Sequence, residues 1–260
     1  MIGFFIKKNF FNGWDNFLSL IVFNLISYAL LIGLYFFISL FVETPVLFFC
    51  FLFIAIYLVT VFYFSMSILT ADVAHNKSVS ILSLFKNLVL VWKDALFLSL
   101  LFLALFISAT IALPFYYNVG GIFGLAMSGI IFWLIVMTLL ALQWFVPLSV
   151  EFKGGFIKTL KKSYLLFLDN GGFTFFLAIY SIVLFFLSAL LAFFAPGFSG
   201  ISLAQNNALK LRLYKYDWLE ENPDIAQTKE RKQIPWDELL AEDDEIIGPR
   251  SFKSLIFPWK

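Results

Sequence analysis

Residues 86–115 read KNLVLVWKDALFLSLLFLALFISATIALPF. A short mixed run leads into Trp92-Lys93-Asp94, and an unbroken apolar segment follows. The apolar part is long enough for a membrane-spanning helix, which needs about 20 residues. The part before it has Ser83 and Asn87 at helical spacing, with Ser80 ahead of them and apolar residues between. That pattern predicts a helix lying in the membrane interface over residues 79–94. Two other places in the chain read the same way.

Composition agrees with a membrane class. Of the 260 residues, 62% are hydrophobic and 13% charged, against about 45–50% and 25% in soluble domains. A chain of this size has no core large enough to bury that surplus, so the sequence predicts a polytopic membrane protein. Net charge is +1, which points to no nucleic acid. Cys50 is the only cysteine and forms no internal disulfide. The start, MIGFFIKKNFF, has neither a basic leader nor a small-residue cleavage site, and no cleaved signal peptide is expected.

In chain order, residues 17–42 are a first apolar span. A tight turn at Glu43-Thr44-Pro45 follows, then a second span over 46–71. After the polar patch 72–78 and the interfacial segment come a third span (95–115), an aromatic loop (116–121) and a fourth span (122–150) with an expected kink near Pro147. Residues 151–170 are polar, with Lys158, Lys161 and Lys162 on one helical side, as in a surface helix. A fifth span covers 173–195, closed by Pro196-Gly197.

The starts align. Lys8-Asn9 precedes Trp14 by six residues, as Lys86-Asn87 precedes Trp92 and Lys162-Ser163 precedes Leu168. Asp169-Asn170 then stands where the first copy has Asp15-Asn16. The polar matches carry the alignment, because leucine matches mean little in so apolar a chain. The fold expected is all-α: a bundle of about six transmembrane helices in three tandem hairpins, over repeats 3–71, 79–150 and 154–214. Each hairpin follows a cytoplasmic interfacial amphipathic helix. Residues 198–214 are a poor span by hydropathy, because they hold Gln205, Asn206, Asn207, Lys210 and Arg212. The repeat makes them the return arm of the third hairpin; the alternative is five spans with this segment on the outer surface.

Nine lysines precede residue 200: Lys7, Lys8, Lys77, Lys86, Lys93, Lys153, Lys158, Lys161 and Lys162. All fall on the face shared by the N-terminus and the surface helices. None falls in the turns at 43–45, 116–121 or 196–200. This asymmetry predicts a cytoplasmic N-terminus, and six spans return the tail to the cytoplasm.

The chemistry-bearing residues are few. His75 is the only histidine, so no metal site, serine triad or HExxH motif is expected, and no cofactor. Within the first five spans charges stand only at the ends, which argues against a proton relay. The intramembrane polar residues are amides: Asn24, Gln143, Gln205, Asn206 and Asn207. They form either a polar pocket or interhelical hydrogen bonds worth about 0.6–2 kcal/mol each.

The tail, 216–260, is acidic and carries Pro223, Pro235, Pro249 and Pro258; a short helix near 236–247 fits between Pro235 and Gly248-Pro249. Its acidic run 242–245 and the basic Lys158, Lys161 and Lys162 suggest a tail folded back under the bundle. Trp236, Leu239, Leu240, Phe252, Ile256, Phe257 and Trp259 equally suit a docking peptide for a cytoplasmic or membrane protein partner, since aromatics are common interface anchors. A solvated, unstructured end is the third reading.

Residues 8–15, KNFFNGWD, followed by a span containing Asn24, resemble the start of YesL-like bacterial membrane proteins. Residues 155–176, GFIKTLKKSYLLFLDNGGFTFF, resemble the basic helix, polar break and span of YciC-like proteins and of the membrane domain attached to some glycerophosphodiester phosphodiesterases. The resemblance covers residues 1 to about 215. It implies a bundle of about six spans in a bacterial cytoplasmic membrane and supplies no catalytic residue. The function expected is a non-enzymatic accessory or scaffold component acting through its cytoplasmic face and tail; the alternative is a permease-like protein for a small neutral or lipidic solute.

Overall fold

The computed structural model describes residues 1–226 and 233–250. All the regular structure among these residues is helical. Helix α1 (Ile2–Asp15) is followed by α2 (Phe17–Ser39) and α3 (Pro45–Ala74). Pro45 opens α3 at a position where no N–H is needed. The short α4 (Ile81–Leu88) leads to α5 (Trp92–Ile107), which runs through a π turn (Ser108–Ala112) into α6 (Leu113–Val119). Pro114 has no N–H to give to the carbonyl four residues back, and the ladder widens there: the Leu113 N–H reaches the carbonyl of Ser108.

Gly120 and Gly121, both with φ near +65° (70° and 63°), turn the chain within two residues. Helices α7 (Gly121–Leu142) and α8 (Phe145–Glu151) follow, then α9 (Phe156–Asp169), α10 (Gly171–Leu190) and α11 (Gly197–Glu221). The tail contributes α12 (Pro223–Ala226), α13 (Trp236–Leu239) and α14 (Ala241–Ile247).

Among the described residues, five helical stretches are long and apolar enough to cross a membrane: Phe17–Ser39, Pro45–Ala74, Trp92–Val119, Gly121–Glu151 and Gly171–Leu190. Their outward faces leave Leu18, Phe36, Phe123, Trp133 and Phe186 exposed. Apolar faces this extensive fit a multi-pass membrane protein, in which lipid covers them.

Helix α11 is not among the five, yet it is the axis of the packing. It lies against α1, α2, α3 and α10, and Ser199, Ser202, Asn206, Asn207, Arg212 and Lys215 are all buried on it. It runs back along α10. The Gly197 N–H donates to Ser188 Oγ at one end (2.6 Å), and Lys215 Nζ meets Asp169 Oδ2 at the other (2.6 Å).

Several expectations shift. The segment 79–94 is not one helix: α4 stops at Leu88, and Trp92 opens α5 with Asp94 in its first turn. A carboxylate is favourable there, beside the unpaired N–H groups. The aromatic loop 116–121 is helical as far as Val119. The fourth span breaks at Gln143-Trp144 rather than at Pro147, because the proline ring displaces the carbonyl four residues before it. Trp144 N–H then turns to the carbonyl of Ala141, and Gln143 Nε2 covers that of Leu140 (2.9 Å).

Helix α1 is more than an interfacial helix. Phe5, Lys8, Asn9, Phe11 and Asn12 are buried against protein. Phe5 sits edge-on to Phe173, Phe176 and Tyr180 of α10. The hinges after α1 and α9 share one geometry. Asn16 and Asn170 have similar backbone angles (φ −111° and −124°, ψ 20° and 38°). Each amide donates to the carbonyl four residues back, Asn12 at 3.0 Å and Leu166 at 3.2 Å.

Candidate functional site

The polar groups converge on α11 at three levels. At its start, Asn24 is wholly buried and bonds three backbone groups of the α10–α11 turn. Its Nδ2 donates to the carbonyls of Phe194 (3.0 Å) and Pro196 (2.9 Å), and its Oδ1 accepts from the Ser199 N–H (2.9 Å). Gly197 has φ +59°, and a Cβ on it would collide with the Asn24 amide, so only glycine admits this approach.

The middle level is a hydrogen-bond network. Asn206 Nδ2 donates to Thr70 Oγ1 (3.0 Å) and Ser67 Oγ (3.1 Å), and Thr70 shares a proton with Ser202 (2.8 Å). Asn207 accepts from Asn12 (3.3 Å) and donates to Asn9 (3.1 Å), which in turn donates to the Tyr180 hydroxyl (3.1 Å). The Tyr63 hydroxyl donates to Gln205 Oε1 (2.7 Å). Three consecutive amides thus face different neighbours: Gln205 and Asn206 meet α3, and Asn207 meets α1. Gln143 stands apart at the α7 break, its second bond going to the carbonyl of Thr174 (3.1 Å).

The third level joins the tail to the bundle. Asp243 is 2% exposed and Lys8 is 0%. Their ion pair is 2.7 Å long, and Lys210 Nζ reaches the same carboxylate oxygen at 3.0 Å. Tyr214 donates to its other oxygen (3.2 Å). Burial draws the Lys8 ammonium down to about 8; neighbouring Lys210 adds to the fall, and the bond to Asp243 opposes it. Burial alone would raise the Asp243 carboxyl, but its bond to Lys8 and the charges of both lysines outweigh this and hold it below the ordinary value of 3.8. Around this core, Lys7 pairs with Asp244 (2.8 Å) and Arg250 forks onto Asp15 (2.9 and 3.0 Å).

The acidic run therefore meets α1 and α11, and not the basic face of α9. Lys158, Lys161 and Lys162 are exposed, and Lys162 lies over the Phe152 ring at 4.2 Å. Helix α9 packs on α5, α7, α8 and α10. Leu240 joins the core that holds Phe5, Trp144 and Leu177, Trp236 packs against that core, and Leu239 is half-buried. Arg212 stacks on Phe173 (4.0 Å) with Trp236 beyond it at 5.6 Å. Phe252, Ile256, Phe257 and Trp259 lie outside the described residues.

Lys8, Asn9, Asn12 and Asp243 carry much of this assembly, and sequence reading did not place them there. One signal was present: Lys8 and Asn12 are four apart, Asn9 and Asn12 three apart, so all share a face of an otherwise aromatic helix. Two amides on one face point to a polar partner helix. No family model, curated protein or solved structure matches the chain.

Proposed function

We propose that this chain is a non-enzymatic integral membrane protein of three tandem hairpins, seated in a bacterial cytoplasmic membrane with both termini in the cytoplasm. In this reading it is YesL-like and serves as an accessory or scaffold component through its cytoplasmic face. Helix α11 is the sixth span. The 18 steps from Gly197 to Lys215 cover about 27 Å at ~1.5 Å each, close to the ~30 Å hydrocarbon thickness. Its polar residues are affordable because other helices shield them from lipid.

The observation that carries the reading is the Asp243 latch. It fastens the tail against α1 and α11, so that a defined acidic surface is held beside the membrane. Asp237, Glu238, Glu242 and Glu245 stay exposed on α13 and α14. On another part of the same end, Lys158, Lys161 and Lys162 present a basic face suited to anionic lipid headgroups. The latch engages its titratable groups with one another, Lys8 and Lys210 on the one Asp243 carboxylate, which suits a structural role better than proton transfer.

A charge reversal that spares the latch tests this. The combined change Glu238→Lys, Glu242→Lys and Glu245→Lys is expected to abolish co-purification of partner proteins from crosslinked membranes while the melting temperature stays within about 6 °C, as each surface change alters stability by only about 0.5 kcal/mol. An unchanged set of crosslinked partners would sink the scaffold reading.

A further inference from the structure

A cavity of about 250 Å³ lies between α3, α5, the α7–α8 break and α11. It has room for about eight waters at ~30 Å³ each. Four polar side chains line it: Thr60, Tyr63, Gln143 and Gln205. Their internal bonds leave a specific remainder. Gln205 Oε1 is occupied by the Tyr63 hydroxyl proton, and no acceptor among the described residues takes the Gln205 NH2. Gln143 spends its NH2 on the carbonyls of Leu140 and Thr174, and no donor among the described residues reaches its Oε1. The remaining polar residue, Thr60, gives its proton to the carbonyl of Ile56 (2.7 Å). The other lining is apolar, with Leu98, Phe102 and Leu139 among it, and no charged residue contributes.

Both glutamines are half-buried, and the groups they leave unpaired face whatever fills the cavity. Two such groups, one a donor and one an acceptor, call for a hydrogen-bonding occupant. The absence of charge in the lining excludes an ionic one, because a bare charge there would go uncompensated. We propose that this cavity binds a small neutral molecule that has one hydroxyl or amide end and a compact apolar body. The Gln205 NH2 donates to its oxygen, the Gln143 carbonyl accepts its proton, and Leu98, Phe102 and Leu142 line its apolar part. This goes beyond the scaffold role: the site lies between the apolar helices and shares no residue with the Asp243 latch.

The test uses the full chain in lipid nanodiscs and benzyl alcohol bearing a photoreactive diazirine. Crosslinked peptides are expected to concentrate at Leu98, Phe102 and Leu142. Excess benzyl alcohol should compete, while benzoate and benzylamine of the same size compete at least about 10-fold more weakly, a difference of ~1.4 kcal/mol. The double variant Tyr63→Phe, Gln205→Leu removes the donor without stranding a hydroxyl. It should cut labelling roughly 3- to 10-fold, the worth of a single hydrogen bond. Leu139→Trp, which fills the space and touches none of these bonds, should cut it as far with the melting temperature held. Labelling spread evenly over outward residues such as Trp133 and Phe186, or unmoved by both variants, would overturn the proposal and leave the cavity as a water-filled gap.

Discussion

Asp243→Ala is expected to be the most damaging single substitution in the tail. It removes the carboxylate between Lys8, which is wholly buried, and Lys210. Two ammonium groups then face one another without a counter-charge. Breaking a buried pair from one side costs about 3–5 kcal/mol. For a chain of this length that lowers the melting temperature by roughly 6–20 °C. Replacing all three charged groups, as in Lys8→Met, Lys210→Met, Asp243→Leu, should recover most of the loss, since buried charges exchanged together for apolar groups are often neutral. A drop of less than about 2 °C for Asp243→Ala would show that the latch contributes nothing.

The latch also sets a pH dependence. The folded value of Asp243 lies below 3.8, so its contribution is complete above that value and is lost as pH falls through the folded one. Lys8 runs the other way. With a folded value of about 8 against 10.5, the folded state binds fewer protons between those limits, and stability rises with pH across that window. Hydrogen exchange of α14 amides should therefore speed up in acid below about pH 4, and slow between pH 8 and 10.5 once corrected for base catalysis.

Asn24→Leu is the second large effect. Asn24 bonds two carbonyls and one N–H of the α10–α11 turn. The Pro196 carbonyl also accepts from the Gly200 N–H (2.8 Å), so leucine, close in size, strands the Phe194 carbonyl and the Ser199 N–H, at about 1–3 kcal/mol each. A loss of at least about 2 kcal/mol is expected from the two together, with proteolysis appearing first between α10 and α11. Asn24→Asp keeps the acceptor but sets a new charge beside the Phe194 and Pro196 carbonyls, so it should be no milder. If Asn24→Leu melts like the parent chain, α11 is not seated by this turn.

Much of the helical order was legible in the sequence because the strongest signal in a membrane chain is a long apolar run. Residues 17–42 and 46–71 became α2 and α3 with ends moved by a few residues. The breaks were harder. Pro147 announced a kink, but the displaced carbonyl belongs to Gln143, four residues earlier. Residues 198–214 carry too many amides for hydropathy to mark them. Aligning Asp15-Asn16 with Asp169-Asn170 calls for a sixth span there; α11 is helical over that stretch but is not among the helices apolar enough to cross a membrane.

The site was legible in part. The amides Asn24, Asn206 and Asn207 could be singled out from their setting in apolar runs, but not their partners, which come from helices up to 198 residues away in sequence. Lys8 misled for a physical reason. A lysine near aromatic residues reads as an interfacial anchor, and only the distant Asp243 turns it into a buried pair. For the same reason the acidic run of the tail pairs, in sequence, with the compact basic group Lys158, Lys161 and Lys162, and not with single lysines on α1 and α11.

The central claim is that α11 crosses the membrane and brings the tail to the side of the N-terminus. Cysteine accessibility in sealed vesicles of known orientation tests it most directly. With Cys50 changed to serine, Glu245→Cys in the exposed part of α14 and Thr44→Cys in the α2–α3 turn serve as opposite markers. A membrane-impermeant maleimide should label Glu245→Cys only from the cytoplasmic face and Thr44→Cys only from the other. Labelling of both positions from the same, outer face would put the tail outside, reduce the spans to five and contradict the three-hairpin architecture.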